Sequence, residues 1–286
     1  MDPVLEPFVL SHETAVRLTA FGAVLAAFAG LEALAPRRPR RDRRARRWTA
    51  NLAMVGLGAL AMRLAVPLMA VEAALRAEAA DWGLFNWLAL PPAVEIVAAV
   101  ILLDLVVYAQ HRLFHRVPLL WRLHAMHHTD LDLDATSGVR FHPLEYVLSM
   151  AIKVAAVWLL GAAALAVIAF ELLLNATSIF NHSNLRLPAG WDRWLRLVVV
   201  TPDMHVVHHS TDPAEHNRNF GFNLPWWDRL FGTYTAAPRA GPVGLTIGLE
   251  GRQEASELGL ARLLWMPFER APRQEGAPRV QGDGSA

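Results

Sequence analysis

Long apolar runs are the feature that most constrains how this chain can fold. Residues 15–35, 49–71 and 93–109 form three such runs, and each contains only one or two charged residues. Each has close to the ~20 residues that a helix needs to cross ~30 Å of hydrocarbon. A fourth run, 143–181, would be about twice too long as one helix. We therefore predict that it crosses twice and folds back near Gly161.

The alternative to a membrane protein is a large soluble helical core. A soluble helix carries a polar stripe along one face, and residues 154–170 show no such stripe. Hydrophobic residues make up 54% of the chain and charged residues 19%, which is unusually apolar for a soluble enzyme. The sequence therefore predicts an all-α, polytopic membrane protein with about four to five transmembrane helices and a cytoplasmic helical cap.

A run of arginines sets the predicted orientation. Eight of the residues 37–47 are arginine, and the run lies between the first two apolar runs. By the positive-inside rule such a run stays in the cytoplasm. Counting spans from there places the histidine-rich segments on the cytoplasmic side, in what we expect to be a bacterial inner membrane. The run could also bind nucleic acid, but its position favours topology and contact with anionic lipid, so we expect no nucleic-acid partner.

Composition divides the chain into two parts. Residues 1–236 are predicted to form one membrane-embedded domain, in which 187–234 make up much of the cap. Residues 237–286 form a C-terminal segment, with a candidate interfacial helix at 258–268 followed by a loose tail rich in Gly, Pro and charge. A further interfacial helix is expected at 84–90.

The histidines are concentrated in one part of the sequence. Eleven of the twelve lie between His111 and His216. They include three boxes: His111 and His115 in an HxxxH spacing, His124, His127 and His128 in an HxxHH spacing, and His205, His208 and His209 in a second HxxHH spacing. Positions i, i+3 and i+4 share a helix face, so each box is predicted to aim its imidazoles at one point. Neutral imidazole is a ligand for iron, zinc and copper.

Two further histidines extend this set of candidate metal ligands. His142 lies in an RFHPLE segment and His182 in an NHSN segment. Ten histidines are too many for one ion, because a zinc enzyme typically uses about three protein ligands and an open position. They suit two metals with five or six ligands each. The chain has no cysteine, which excludes thiolate zinc sites and iron–sulfur clusters.

The order and spacing of the boxes resemble those of the fatty acid hydroxylase and sterol desaturase superfamily, a group of integral membrane di-iron oxygenases. The resemblance covers residues 51–234. Besides the three boxes and their flanking residues, the matching stretches are FHPLE at 141–145, NHSN at 181–184, NFG at 219–221 and WDRLFGT at 227–233.

This resemblance implies a reaction and its cofactors. It implies two iron ions, O2 as co-substrate, and hydroxylation or desaturation of an unactivated C–H bond in a sterol, a fatty acyl chain or a related membrane lipid. Larger membrane hydroxylases of this kind carry an extra pair of histidines near the fourth motif, where this chain has only His182. His142 is our candidate to complete the ligand set.

Oxidation of a C–H bond by O2 also requires electrons from outside the chain. The sequence has no glycine-rich nucleotide fingerprint, no haem motif and no cysteine for an iron–sulfur cluster. We therefore expect an external donor, either a ferredoxin or a cytochrome-b-type protein with its reductase. Iron is favoured over zinc because zinc does not change its oxidation state.

An acidic residue inside a predicted span is a further functional candidate. Asp104, Tyr108, His111 and His115 follow one another at intervals of 4, 3 and 4, which is one helical stripe. Asp104 is therefore our candidate catalytic residue, acting through a hydrogen bond to a ligand imidazole. The alternative is that Asp104 pairs with Arg63.

Five other polar residues are either undecided between two roles or expected outside the metal site. Glu145, Asp203 and Asn219 either orient ligands or cap helices and turns. His12 is expected on the far side of the membrane from the boxes, and His216 on the protein surface.

Two other functions compete with lipid oxidation. A zinc-dependent membrane hydrolase would need only about three of the histidines and no electron donor. A metal carrier would place its ligands along a path at the bilayer midplane, and a haem-binding protein would use only a few of them. Metal content separates these hypotheses, since they require two non-haem irons, one zinc, or a transported metal or haem.

Overall fold

The helices of the structure follow the apolar runs of the sequence. The computed structural model describes residues 5–88, 90–188 and 190–269, and within these ranges every named element is a helix. In chain order the α-helices are α1 (Leu5–Ser11), α2 (Glu13–Leu34), α3 (Arg44–Ala65), α4 (Ala70–Ala79), α5 (Leu84–Leu88), α6 (Pro92–Arg116), α7 (Pro118–His128), α8 (Pro143–Leu160), α9 (Ala164–His182), α10 (Trp191–Leu195), α11 (Pro202–His208), α12 (Pro213–His216), α13 (Trp226–Leu230), α14 (Gly241–Gly244) and α15 (Leu260–Trp265). Short 3₁₀ helices lie at Ser137–Val139, Ala255–Leu258 and Met266–Phe268.

Five helical segments are long and apolar enough to cross a membrane. They are Glu13–Leu34, Arg44–Leu88, Pro92–Arg116, Pro143–Leu160 and Ala164–His182. The second segment contains α3, α4 and α5, and α3 ends at Ala65, just before Val66 and Pro67. A proline lacks the backbone N–H and disfavours helix at the preceding residue, which accounts for this break. The prediction of an all-α polytopic membrane protein with four to five spans is confirmed.

The last two spans reverse direction where the sequence predicted it. Gly161 caps the C-terminus of α8 with a φ of 61°, a left-handed conformation that glycine adopts without strain. Gly83 packs against this turn so closely that an added Cβ would lie 2.3 Å from the Gly161 nitrogen. Since α8 and α9 are antiparallel, the start of α8 and the end of α9 lie at the same end of the bundle. The histidines also gather at this end.

A buried ion network ties the start of α3 to the cap. The Arg47 side chain is almost fully buried and donates to Asp130 at 2.7 Å and to Asp134 at 2.6 Å. Burial alone would raise the pKa of Asp130, but Arg47 and Arg140 outweigh it and hold that pKa below its usual range. Arg37 also pairs with Asp203 at 2.8 Å. Part of the arginine run therefore has a structural role in the cap that the charge count did not predict.

The C-terminal segment packs beside α7. The predicted interfacial helix at 258–268 corresponds to α15 and its two flanking 3₁₀ helices, with Trp265 and Phe268 exposed. Arg122 of α7 donates to the backbone carbonyl of Pro267 at 2.7 Å. The predicted loose tail beyond Glu269 lies outside the described residues. The expected helix at 84–90 is α5, and contact of both helices with a membrane interface stays a prediction.

Candidate metal centre

Nine of the ten histidines named as candidate ligands come together in two groups. Each histidine contributes one ring nitrogen, and within a group all of these nitrogens lie within 4.8 Å of one another. The first cluster consists of His111, His115, His124, His128 and His208, and the second cluster of His127, His182, His205 and His209. The two clusters adjoin, because the rings of His128 and His209 stack with their centroids 4.5 Å apart.

Each HxxHH box is divided between the two clusters. His124 and His128, at i and i+4, belong to the first cluster, whereas His127 belongs to the second. The other box is divided the opposite way, with His205 and His209 in the second cluster and His208 in the first. The expectation that each box aims at one point is therefore wrong for the two HxxHH boxes, whereas His111 and His115 of the HxxxH box do share the first cluster. The angular offset between i+3 and i+4 on a helix places neighbouring imidazoles in different clusters.

The ring nitrogens of the second cluster converge closely. The Nε2 atom of His182 lies 3.1 Å from that of His127, 3.1 Å from that of His205 and 3.2 Å from that of His209. The Nε2 atoms of His205 and His209 are 3.3 Å apart. Four imidazole nitrogens at these separations can all reach one ion.

The outer nitrogens fix the tautomers of two rings in the second cluster. We assign a proton to Nδ1 of His127, which donates to the Arg140 carbonyl at 3.1 Å, and to Nδ1 of His182, which donates to the Ser178 carbonyl at 2.8 Å. Both Nε2 atoms then carry lone pairs. Two lone pairs facing one another at 3.1 Å repel unless a cation lies between them, so the donor set fits a metal ion.

The first cluster shows the same arrangement with a carboxylate in place of one carbonyl. Nδ1 of His111 donates to the Phe220 carbonyl, and Nδ1 of His124 donates to Glu145, each at 2.7 Å. Their Nε2 atoms are left unprotonated and face one another at 3.1 Å. Within the described part of the chain, both ring nitrogens of buried His128 and Nε2 of His208 have no hydrogen-bond partner. Buried polar atoms without partners are costly, and coordination to an ion would satisfy them.

Burial keeps the cap imidazoles uncharged. It lowers the pKa of His124 to about 3. Burial, together with neighbouring imidazoles, also holds the pKa values of His127, His128, His205 and His209 well below the ordinary value. A neutral imidazole is the form that binds a metal, so these side chains are ready to act as ligands at neutral pH.

The structure does not bring His142 into either cluster. Its Nδ1 accepts from the Leu144 backbone N–H at 3.2 Å and caps α8, while its Nε2 donates to the Leu264 carbonyl at 3.1 Å. Both ring nitrogens are thus used in holding α8 and the C-terminal segment together. The extended backbone that precedes Pro143 gives His142 this capping role.

Asp104 has neither of the two partners considered from the sequence. Its carboxylate accepts from the backbone N–H groups of Asn223 and Leu224, at 3.3 and 3.2 Å, and from the Trp227 indole at 2.8 Å. Arg63 is exposed and is not among these donors. Asp104 therefore anchors the loop that supplies the carbonyl partner of His111, and it touches no cluster imidazole directly.

Two other acids act closer to the ligands. Of the residues with open roles, Glu145 is the one that holds an imidazole directly. Sequence reasoning missed Asp228, whose carboxylate accepts from the backbone N–H groups of Phe220 and Gly221 at 2.8 Å each. Asp228 therefore fixes the peptide group whose carbonyl accepts the hydrogen bond from His111 Nδ1–H. Its place in the quoted WDRLFGT motif was the available signal.

His12 lies away from the clusters, as the sequence predicted, but His216 does not lie where it was predicted. His12 is exposed at the start of α2, away from the clusters. The expectation that His216 lies on the surface is wrong, since its side chain is only 7% exposed. The ring lies 4.6 Å from that of His128 and 5.0 Å from those of His115 and Trp121, and burial lowers its pKa to about 4.

A cavity of about 280 Å³ lies inside the bundle beside the first cluster. His111 and His124 form part of its wall, with the aromatic rings of Phe114, Phe141 and Phe222 next to them. No histidine of the second cluster is among its described lining residues. The first cluster is therefore the one that faces an apolar space between membrane helices.

Comparison with known proteins shows a similarity to one family. The fatty acid hydroxylase family matches residues 96–233, a range that contains all nine cluster histidines. Over this range the chain resembles the fatty acid hydroxylase superfamily. The matched range therefore contains the eight box histidines and His182, which meet at one end of the long apolar helices.

Individual relatives within the superfamily differ in the lipid that their names specify. An ornithine lipid hydroxylase of Rhizobium tropici is 32% identical over 65% of this chain and 54% of its own length. An alkylglycerol monooxygenase of Danio rerio is 31% identical over 58% of this chain and 36% of its own length. A cholesterol 25-hydroxylase of Rattus norvegicus is 27% identical over 51% of this chain and 48% of its own length. The chain thus spans about half or less of the curated relatives that it matches. No solved structure shows a significant match.

Proposed function

We propose that the protein is an O2-dependent, non-haem di-iron enzyme that hydroxylates an unactivated C–H bond in a membrane lipid, with desaturation as the alternative outcome. The observation that carries the proposal is the pair of adjoining all-histidine clusters, one of which opens into an apolar cavity among membrane helices. The names of its relatives, which are hydroxylases and monooxygenases of lipids, support the same reaction class.

The ligand set favours two redox-active ions over a single zinc. The clusters offer five and four histidines, whereas a hydrolytic zinc uses about three and would leave the remaining buried imidazoles unexplained. Iron bound in the two clusters would activate O2 for oxidation of a C–H bond. The external electron donor, a ferredoxin or a cytochrome-b-type protein with its reductase, remains part of the proposal.

The protein's own residues orient the ligands and exclude water. Backbone carbonyls of Phe220, Arg140 and Ser178 and the carboxylate of Glu145 each hold an Nδ1–H, so that the Nε2 atoms stay fixed toward the cluster centres. Apolar rings beside the first cluster, such as Phe222, keep the approach to it dry. A long apolar substrate would enter this space from the bilayer.

The arginine run supports a cytoplasmic location for the clusters. Arg37 and Arg47 contact the cap through Asp203 and Asp130, so the basic segment lies at the same end of the bundle as the histidines. By the positive-inside rule this end would face the cytoplasm of a bacterial inner membrane. Cysteines introduced at Ser11 and at exposed Ala237 should then react with an impermeant thiol reagent from opposite sides, and reaction of both from one side contradicts the orientation.

Labelled dioxygen tests the proposed reaction. Protein containing iron, supplied with a reducing system, a membrane lipid extract and ¹⁸O2, should give a lipid that carries one ¹⁸O atom. An olefin without label would identify the desaturase outcome. Label that enters only from water, with no need for reductant, would contradict both and favour a hydrolytic metal.

A further inference from the structure

Three charged side chains lie inside the membrane bundle, away from the histidines. Arg17 of α2, Lys153 of α8 and Glu171 of α9 all line the cavity that reaches the first cluster. Lys153 Nζ lies 2.6 Å from Glu171 Oε1, and Arg17 contacts the other oxygen of the same carboxylate. Charged residues within membrane spans are costly, and they usually have a functional role.

The triad lies at the opposite end of the cavity from the imidazoles. Glu145, which holds His124, and Lys153 both line the cavity from α8 and are eight residues apart. Eight residues of α-helix correspond to about 12 Å. Glu171 lies a similar distance along α9 from Ser178, whose carbonyl holds His182. The cavity thus has a metal-ligand end and a charged end, and the wall between them contains apolar side chains such as Met150 and Leu174 together with the uncharged polar Ser149 and Asn175.

The charged end of the cavity wall carries two cations and one carboxylate, and a second carboxylate pairs with Arg17 from outside the wall. Two cations share one carboxylate there, and Glu13, the second acid that pairs with Arg17, is not among the described lining residues. Lys153 has three N–H donors, of which Glu171 takes one in the described contacts. An anionic oxygen at this end would accept charge-assisted hydrogen bonds from the remaining Lys153 donors.

We propose that this triad binds an anionic oxygen group of the substrate, such as a carboxylate, while the C–H bond to be oxidised lies beside His111 and His124. This proposal rests on the proposed function and adds a substrate class to it: an amphipathic lipid with an acidic group. The position of oxidation is then measured from that acidic group, because the triad fixes one end of the molecule and the clusters fix the other.

Binding without turnover tests the triad independently of the oxidation chemistry. Purified full-length protein without reductant is titrated with a radiolabelled 16-carbon fatty acid and with its methyl ester. The acid should bind about tenfold or more tightly than the ester, because it gains charge-assisted hydrogen bonds. Lys153→Met should remove most of this difference by weakening only the acid, and Lys153→Arg should restore it.

A cavity residue without charge provides the matched control. Met150 lines the cavity one turn from Lys153, and Met150→Ala should weaken the acid and the ester by the same factor. Equal affinity of wild-type protein for acid and ester would overturn the proposal. It would also be overturned if Lys153→Met lowered the melting temperature but changed both affinities equally, since the triad would then only join helices.

Turnover separates this inference from the proposed function. In a series of fatty acids of different length, the oxidised carbon should stay constant when counted from the carboxyl carbon. Oxidation at a constant distance from the methyl end would overturn the triad's role while leaving the lipid oxygenase intact. The opposite result is acid-selective binding without any O2-dependent product under any reducing system. It would support the binding site and contradict the proposed reaction.

Discussion

Both HxxHH boxes contribute to each of the two histidine clusters, but the clusters differ in what surrounds them. In the second cluster, all four Nε2 atoms lie within hydrogen-bond distance of at least one other, and no member is found among the described residues of the cavity wall. In the first cluster, two members line the cavity, and His115 and His128 have no described partner for either buried ring nitrogen, whereas in the second only the Nδ1 atoms of His205 and His209 lack one.

Histidines that are adjacent in sequence therefore lie in different surroundings. The first cluster is the one that the cavity reaches, whereas the four fully buried side chains of the second are not among the described residues of the cavity wall. The support also differs: Glu145 holds a ring of the first cluster, whereas the described Nδ1 partners in the second are backbone carbonyls. Side-chain substitutions outside the ligands should therefore affect the first cluster more than the second.

The largest effects are expected from removing ligands that are adjacent in sequence but belong to different clusters. His127→Ala and His128→Ala should each lower bound iron from about two per chain toward one, because each leaves one cluster a ligand short. Lipid oxidation should fall by at least about a hundredfold in both. Exposed His12→Ala is the control and should change neither quantity. Two irons retained in both variants would contradict the division into clusters.

A smaller effect is expected from the acid that supports only the first cluster. Glu145→Gln keeps the side chain's shape but replaces the carboxyl acceptor of the His124 Nδ1–H with an amide. Activity should fall by roughly tenfold, with the iron content less affected, as is usual for residues that orient ligands. Equal loss of both irons would mean that the clusters are not supported separately. Glu72→Gln, which alters an exposed ion pair on α4, is the matched control.

The sequence was sufficient for the spans and for nearly all of the cluster members. Residues 143–181 were predicted to reverse at Gly161 because their length exceeded one bilayer crossing, and the structure confirms this. The spacing of the boxes identified eight residues that the fold brings together, and the NHSN segment supplied the ninth, His182. Periodicity within a helix is a local property, so it can be read without knowledge of tertiary contacts.

The partners of polar residues could not be read in this way. Asp104 contacts Trp227 across more than a hundred positions of sequence, and Arg47 contacts Asp130 across more than eighty. Such pairs depend on how the cap folds over the bundle, and spacing carries no information about it. His142 was interpreted as a ligand and His216 as a surface residue for the same reason, since both lie outside the boxes.

A third prediction concerns the anchor of the loop over the first cluster. Asp104→Asn replaces one acceptor oxygen with an NH2 group facing the donors of Asn223, Leu224 and Trp227. We expect a loss of about 1–3 kcal/mol in stability, measured as a lower melting temperature in detergent. Activity should fall only several-fold, because Asp228 still holds the peptide of Phe220. A variant that lost all activity with both irons bound would instead give Asp104 a direct role in catalysis.

The smallest effect is expected at the edge of the first cluster, from His216. Its ring packs 4.6 Å from that of His128, yet it is not one of the five residues whose nitrogens all lie within 4.8 Å of one another. If it only packs against the cluster, His216→Phe should keep two irons and retain activity within about twofold, because a ring of similar shape fills the space. His128→Phe is the matched comparison and should lose iron. Loss of iron in the His216 variant as well would extend the first cluster to six histidines and strengthen its contrast with the four of the second.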